Sequence, residues 1–382
     1  MKILKLFKIL FYLAVIVIIL MIAVYLFMKT SAFGALPSGK SLERVKNSKN
    51  YIDGEFRNKE STEVLINSRK SSIQKLLEFV FEKDPEGTTP DFKLPSIKTD
   101  LKNLEPDEDV MIWFGHSSLF IQMAGKKILV DPVFSKYASP VPFTNKAFDG
   151  TNIYDVDDLP EIDILLITHD HYDHLDYPTI KKLKNKIKRI IVPLGIDAHF
   201  LRWGYTEDKI TAVDWDDEIT IDNNLKIYAL ESRHFSGRSF SNRNQSLWAS
   251  FLIEEKIDNK IYRLFLSGDG GYSQRFKEFK EKFGSIDFAA MESGQYNKEW
   301  PLIHSMPEEV ITEVQDMEVT NLFPIHNSKF KLSNHTWDDP LKQLDKLTEN
   351  TNINLLTPMI GEKIYLHKEN SFTKWWENIE KY

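Results

Sequence analysis

The chain has 382 residues, 42% apolar and 27% charged, with 49 Lys plus Arg against 56 Asp plus Glu and no cysteine. Such a length and composition leave ample core for one large domain or two, and exclude a disordered chain, a multi-span membrane protein, disulfides, thiolate metal sites and a thiol nucleophile. The net charge is −7; residues 1–30 hold four lysines and no acid, so the rest carries −11. That is a poor match to nucleic-acid phosphate, and no nucleic-acid partner is expected.

Ile9 to Met28 is an uncharged apolar run of 20 residues, which as a helix spans roughly 30 Å, the thickness of a bilayer core. Lys2, Lys5 and Lys8 precede it, Lys29 follows, and Tyr12 and Tyr25 lie near its ends, where interfacial aromatics belong. The pattern predicts an uncleaved single-pass anchor over residues 1–30, because the apolar core of a signal peptide is shorter, about 7–15 residues. The leading lysines favour an extracytoplasmic catalytic domain, weakly, since Lys40, Arg44, Lys46 and Lys49 follow the helix.

Residues 31–109 read as a juxtamembrane linker and N-terminal extension. Gly34, Pro37, Gly39 and Gly54 break the first part, and Leu65, Ile66, Ile73, Leu76, Leu77, Val80 and Phe81 form the apolar stripe of a helix over 62–82. The Pro-rich stretch 83–109 reads as irregular. Residues 110–382 alternate strands and helices. Strands are predicted at Met111–Met123, Lys127–Val130, Ile162–Thr168, Arg189–Pro193, Ile210–Val213, Ile219–Leu230, Leu247–Glu254, Tyr262–Ser267, Ile286–Met291 and Asn321–Ile325, and near Leu355 and Ile364. Helices are predicted at Pro178–Lys186, Ile196–Trp203, Ser273–Phe283, Pro307–Met317 and Pro340–Leu347. This alternation predicts an α/β domain whose sheets are covered by helices on their outer faces.

The chemistry sits at strand ends. Strand Ile162–Thr168 runs into His169-Asp170-His171-Tyr172-Asp173-His174, three His and two Asp in six residues of a chain with only ten His. Imidazole and carboxylate suit zinc and related divalent ions. His234, Asp269 and His326 each follow a later strand. One such residue is ordinarily a cap or turn residue, but their common placement argues for one shared site. Asp131 reads as a partner behind a ligand histidine, His116 as packing behind the site, and His199, His335 and His367 as structural or solvated.

The series His169-x-His171-x-Asp173-His174, His234, Asp269, His326 resembles the metallo-β-lactamase superfamily. Further segments narrow the likeness to N-acylphosphatidylethanolamine phospholipase D and its bacterial relatives. They are Trp113-Phe114-Gly115-His116-Ser117, Asp131-Pro132-Val133-Phe134, Arg233-His234-Phe235-Ser236-Gly237-Arg238, Gly268-Asp269-Gly270-Gly271-Tyr272, and His304 before Pro307. The resemblance covers roughly residues 110–345, the linker from Phe33-Gly34 to Asn58 also resembles the N-terminal segment of bacterial members, and the likeness implies a four-layer αββα sandwich with the site at one edge. It implies that His169, His171 and His234 hold one metal, that Asp173, His174 and His326 hold a second, and that Asp269 bridges them. Two divalent ions are therefore expected; Zn²⁺ suits the ligands best, and Mn²⁺ or Fe²⁺ can occupy the same set.

The expected activity is hydrolysis of a phosphodiester in an N-acylphosphatidylethanolamine-type phospholipid by a hydroxide that the ions share. Asp173 would orient the hydroxide. His304 would bind phosphate or protonate the leaving group. Asn327-Ser328 stands where the family often has Trp-Gly, a departure bearing on the pocket wall and the substrate. A lactonase or other ester hydrolase uses the same residues equally well. A non-catalytic metal-binding envelope protein is the alternative from another class.

Overall fold

The computed structural model describes residues 2–66, 85–377 and 379. A helix without Gly or Pro runs from Lys2 to Met28. Among the described residues it is the one helix long and apolar enough to cross a membrane, and none of it is buried against the body. It ends in a 3₁₀ turn, Ser31–Phe33, closed by Gly34 at φ 69°.

Residues 31–60, read above as a linker, pack onto the body. A helix spans Gly39–Asn47, and strands β1 (Tyr51–Ile52) and β2 (Glu55–Phe56) make a hairpin. Its turn, Asp53-Gly54, has φ of 54° and 87°, the doubly positive geometry that two-residue hairpins favour and Asp-Gly supplies. Val45 and Phe56 are buried with Trp215, Leu247 and Trp248, and Arg44 Nη2 lies 2.7 Å from Asp197 Oδ2. The glycines that look like breakers are therefore turn residues of a docked segment. Of the helix expected over 62–82, residues 67–82 lie outside the described residues, and 62–66 are a bend rather than helix.

Among the described residues the body holds fourteen further strands: β3 (Val110–Trp113), β4 (Leu119–Met123), β5 (Lys126–Val130), β6 (Ile162–Leu166), β7 (Ile187–Pro193), β8 (Ile210–Val213), β9 (Glu218–Thr220), β10 (Leu225–Leu230), β11 (Ser250–Ile257), β12 (Lys260–Leu266), β13 (Phe288–Glu292), β14 (Asn321–Ile325), β15 (Asn354–Leu355) and β16 (Lys363–Tyr365). They form two seven-stranded sheets, ordered β16-β3-β4-β5-β6-β7-β8 and β15-β14-β13-β12-β11-β10-β9. Both are mixed: β5 to β8 and β12 to β15 run parallel, and the other pairs are antiparallel.

Two predicted strands are each divided. Met111–Met123 is cut at Gly115-His116, both at positive φ, so that Phe114 N donates back to Ser118 O at 2.9 Å. Ile219–Leu230 is cut where Asp222 Oδ1 accepts from the backbone of Asn224 and Leu225, an Asx turn.

Strand alternation sorts the core into layers. Phe251, Ile253, Leu264 and Leu266 face the opposite sheet with Trp113, Ile121, Ile164 and Leu166. Each such side chain withdrawn from water contributes about 1.5–3 kcal/mol. Leu252 and Phe265 point the other way, onto Phe276, Phe279, Val310 and Val314 of helices Arg275–Phe283 and Pro307–Asp316. On the far side Leu165 and Ile190 meet Ile180, Leu183 and Phe200 of helices Tyr177–Leu183 and Asp197–Arg202. Helix, sheet, sheet, helix is the four-layer order expected.

His367 ties the sheets together. Its Nε2 lies 3.0 Å from Glu255 Oε2 on β11 and 3.3 Å from Asp109 Oδ2 before β3. Hydrogen bonds to Asp109 and Glu255 push its pKa from 6.5 up to about 9. A raised folded-state pKa stabilises fully below the unfolded value and is lost as pH rises through the folded one. His367→Asn is therefore expected to lower the melting temperature at pH 6 by about 2–4 °C, the equivalent of about 1 kcal/mol, and to change it little at pH 10. Calorimetry at the two pH values checks this; an equal loss at both would assign His367 to packing alone.

Candidate metal centre

Strand direction puts the chemistry on one edge. β3, β5 and β6 of one sheet run the same way, as do β10, β12, β13 and β14 of the other. His116 follows β3, Asp131 follows β5, His169 to His174 follow β6, His234 follows β10, Asp269 follows β12, Glu292 ends β13 and His326 follows β14. The seven residues read from the sequence as ligands are brought together and are all buried or nearly so.

They fall into two groups joined by one carboxylate. His169 Nε2 lies 2.9 Å from His171 Nδ1, which lies 3.3 Å from His234 Nε2. Asp173, His174 and His326 form the other group, with His116 added. Asp269 Oδ2 stands between them, 3.7 Å from His169, 3.8 Å from His234, 3.2 Å from His174 and 3.1 Å from His326.

The outward ring nitrogens are held by oxygens, which fixes which nitrogen faces inward. His169 Nδ1 lies 3.0 Å from Thr168 Oγ1, and His234 Nδ1 3.0 Å from Ile303 O. His174 Nδ1 lies 2.8 Å from Asp131 Oδ2, the partner expected of Asp131, and His326 Nδ1 3.2 Å from Glu292 Oε1. His116 is closer than packing behind the site implies, since its Nε2 is 2.9 Å from Asp173 Oδ2.

The donor set fits divalent cations. Burial holds His169 and His234 well below the usual imidazole range, as neutral rings, the form in which imidazole binds metal. Burial acts against charge on His174 and His326 as well, but the Asp269 and Asp173 carboxylates outweigh it and raise both. In turn, burial alone would raise Asp269; His174 and His326 hold it well below the carboxylate range. The surroundings of Asp173 and Asp269 thus favour positive charge. Among the described residues, buried Asp269 Oδ1 has no hydrogen-bond partner, an arrangement costly unless something else engages it.

A pocket of about 170 Å³ opens over the centre. It is lined by His171, Asp173, His234, Asp269, His304 and His326, by Val64, Leu65, Phe235, Trp300, Ile303 and Leu332, and by one further polar side chain, Gln295. His304 is near the ligands: its Nδ1 is 3.2 Å from Glu292 Oε1, and its ring stacks on His326 at 5.3 Å. Asn327 and Ser328 turn inward and line a separate small cleft instead, so this departure from the family pattern does not reach the pocket wall.

Other residues were not legible as parts of the site. Glu292 joins His304 to His326 through one oxygen. Asn58 pins the His234 backbone from both sides, Nδ2 donating to His234 O at 2.8 Å and Oδ1 accepting from His234 N at 3.2 Å. Arg238 is buried and donates to Asp170 O, Leu175 O and Ala32 O, bracing the ligand loop against the N-terminal segment. Asp170, inside the six-residue motif, turns away from the ligands to Gly237 N, Ser246 and His199. The acids could not be told from the chain's many others; the Asn and Arg act across long stretches of sequence.

Gly294 shows how tightly the centre is built. A Cβ there would fall 1.8 Å from His326 O. Gly294→Ala is expected to displace His326 and to lower the divalent-metal content after dialysis, read by plasma mass spectrometry, with far-UV circular dichroism retained. Unchanged metal content would show that the loop can yield.

Comparison with known proteins agrees with this architecture. The sequence model of the beta-lactamase superfamily domain matches residues 126–327. The uncharacterized protein Mb0930 of Mycobacterium bovis is 30% identical over 333 residues, 86% of this chain and 87% of that one. The mitochondrial N-acyl-phosphatidylethanolamine-hydrolyzing phospholipase D of Saccharomyces cerevisiae is 33% identical over 250 residues, 62% of this chain and 51% of that one. Among solved structures, CmlA, a diiron beta-hydroxylase from Streptomyces venezuelae, superposes with a TM-score of 0.54 at 18% identity, covering 68% of this chain and 55% of that one. With a family match over more than half its length and a fold of the same kind, the chain belongs to the metallo-β-lactamase superfamily, as a metal-dependent hydrolase.

Proposed function

We propose that the protein is a membrane-anchored dinuclear phosphodiesterase acting on N-acylphosphatidylethanolamine-type phospholipids. The observation that carries this reading is the pocket: a floor of His and Asp beneath walls of Val64, Leu65, Phe235, Trp300, Ile303 and Leu332. A polar reacting group with an apolar tail suits such a lining. The name of the yeast relative and the exposed apolar helix Ile3–Met28 support it further.

In this reading His169, His171 and His234 hold one ion, Asp173, His174 and His326 hold the other, and Asp269 serves both. Bound there, two divalent ions, Zn²⁺ by ligand preference, supply Lewis acidity and lower the pKa of water towards about 7. The chain does the rest. Asp173, held by His116 at 2.9 Å, orients the attacking water, whose proton passes to solvent. His304, held by Glu292, donates a proton to the departing oxygen. The apolar walls exclude bulk water from the reacting group and meet the apolar part of the substrate next to it. Cleavage on the ethanolamine side of phosphorus yields phosphatidic acid and an N-acylethanolamine.

The test is mass-spectrometric product analysis of the full-length, metal-loaded protein with vesicles containing N-acylphosphatidylethanolamine. Release of N-acylethanolamine is expected. No release with two metals bound would leave the hydrolase and remove the phospholipid, turning attention to lactones and other esters. Asp269→Asn is expected to lose both metals and activity together, by more than the ~10–100-fold typical of a residue behind a ligand; an active, metal-replete variant would refute the shared role. His304→Gln should lower kcat by about 10²–10⁴-fold with metal content unchanged, and an undiminished kcat would remove it from proton transfer.

A further inference from the structure

We infer that the face around the exit of the N-terminal helix is a lipid-docking surface, in which Phe143 and Phe240 enter the bilayer beside the helix and hold the pocket against the membrane. The inference rests on the reading of residues 3–28 as an anchor and adds a second, independent contact to it.

The exit is fixed by named contacts. Arg202 donates to Lys29 O at 2.5 Å, Trp203 Nε1 to Ser31 O at 2.8 Å, and Arg238 Nη2 to Ala32 O at 2.7 Å. Around it lie exposed apolar side chains that the fold does not use. Phe240 is 94% exposed and Phe143 86%, the highest values among the large apolar residues described, those of the exposed helix included. Leu36, Val141 and Leu201 are exposed nearby. Pro142 and Arg238, next to these two loops, line one recess of about 280 Å³ with Ala32 and Lys136, which brings both loops to the helix exit.

An aromatic ring so exposed is costly in water and gains on entering an interface. Lys29, Lys136, Arg202 and Arg243 sit on the same segments and suit anionic headgroups. The surface is also coupled to the site. The Phe240 loop starts from pocket-wall Phe235, whose ring lies 5.1 Å from the Arg243 guanidinium. Tyr172, between ligands His171 and Asp173, donates to Arg238 O at 2.7 Å and meets the ring of Phe33 at 6.1 Å.

The chain has no cysteine, so single cysteines can be labelled uniquely. Full-length Val17→Cys, Phe143→Cys, Phe240→Cys and Ile257→Cys proteins would carry an environment-sensitive fluorophore and be reconstituted in phosphatidylcholine vesicles with a minority of phosphatidylglycerol. Acyl-chain nitroxide lipid should quench the label at 17, 143 and 240, and not at 257 on the β11–β12 hairpin. Quenching at 17 with none at 143 and 240 would overturn the docking surface and leave the anchor. No quenching at 17 would overturn both. If protection at 143 and 240 depends on protein concentration rather than lipid, the face binds a second copy and the inference fails. Phe143→Ser with Phe240→Ser should cut turnover of vesicle phospholipid by about tenfold or more, the transfer of even one of the two apolar side chains being sufficient for that, and leave turnover of soluble bis(p-nitrophenyl) phosphate unchanged. Equal turnover of vesicle substrate by the double variant and wild type would also overturn it.

Discussion

Two buried carboxylates, Asp173 and Asp269, face six imidazoles at one edge of the sandwich, and much of the surrounding structure exists to make that tolerable. An ion taken out of water costs several kcal/mol even after relaxation. Here the cost is met by geometry. Nε2 atoms converge on the carboxylates, and each outward Nδ1 of His169, His174, His234 and His326 finds an oxygen on Thr168, Asp131, Ile303 or Glu292. Those oxygens are themselves held: both Asp131 oxygens accept from Thr168, at 2.8 Å from its backbone and 2.6 Å from its hydroxyl. The centre is thus a set of nested hydrogen bonds whose innermost members are short of positive charge.

The two sheets supply that set from parallel strand ends. Strand register fixes where each loop begins, and the tight glycines fix where it can go. Gly294 lies against the His326 carbonyl, and Gly268, at φ 58°, packs on Thr168 beside the ligand loop. An edge of this kind has little room to drift, and the pocket wall above it is tied to it, since Ile303 O lies 3.0 Å from His234 Nδ1.

What was legible in the sequence was local. Imidazoles clustered after an apolar strand announce a metal site because few other roles require them, and His234, Asp269 and His326 each follow a strand whose apolar run is plain. The two-layer alternation in Phe251 to Ile253 and Leu264 to Leu266 follows from period-two patterning. What stayed hidden depends on distance along the chain. Asn58 grips His234 across 176 residues; the glycines and proline of residues 31–60 look like those of a tether, and the likeness of Phe33 to Asn58 to bacterial relatives does not say what the segment touches. Glu292 at the end of β13 looks like any solvated acid. Gly115-His116 and the Asp222 turn divided strands because apolar neighbours outweighed the turn residues in the pattern.

The Arg238 brace has a consequence for how the protein is made. Its guanidinium joins Ala32 O to Asp170 O, and Ala32 and Arg238 are separated by 206 residues. At roughly 5–20 residues per second of synthesis, Ala32 is exposed about 10–40 s before the arginine that fastens it exists. The N-terminal helix therefore reaches its surroundings while the body is still unmade, and the ligand loop is synthesised long before its brace. His326 emerges later still. The contact between Arg238 and Ala32, and with it the brace on the loop of Asp170, can therefore form only after residue 238 has been made.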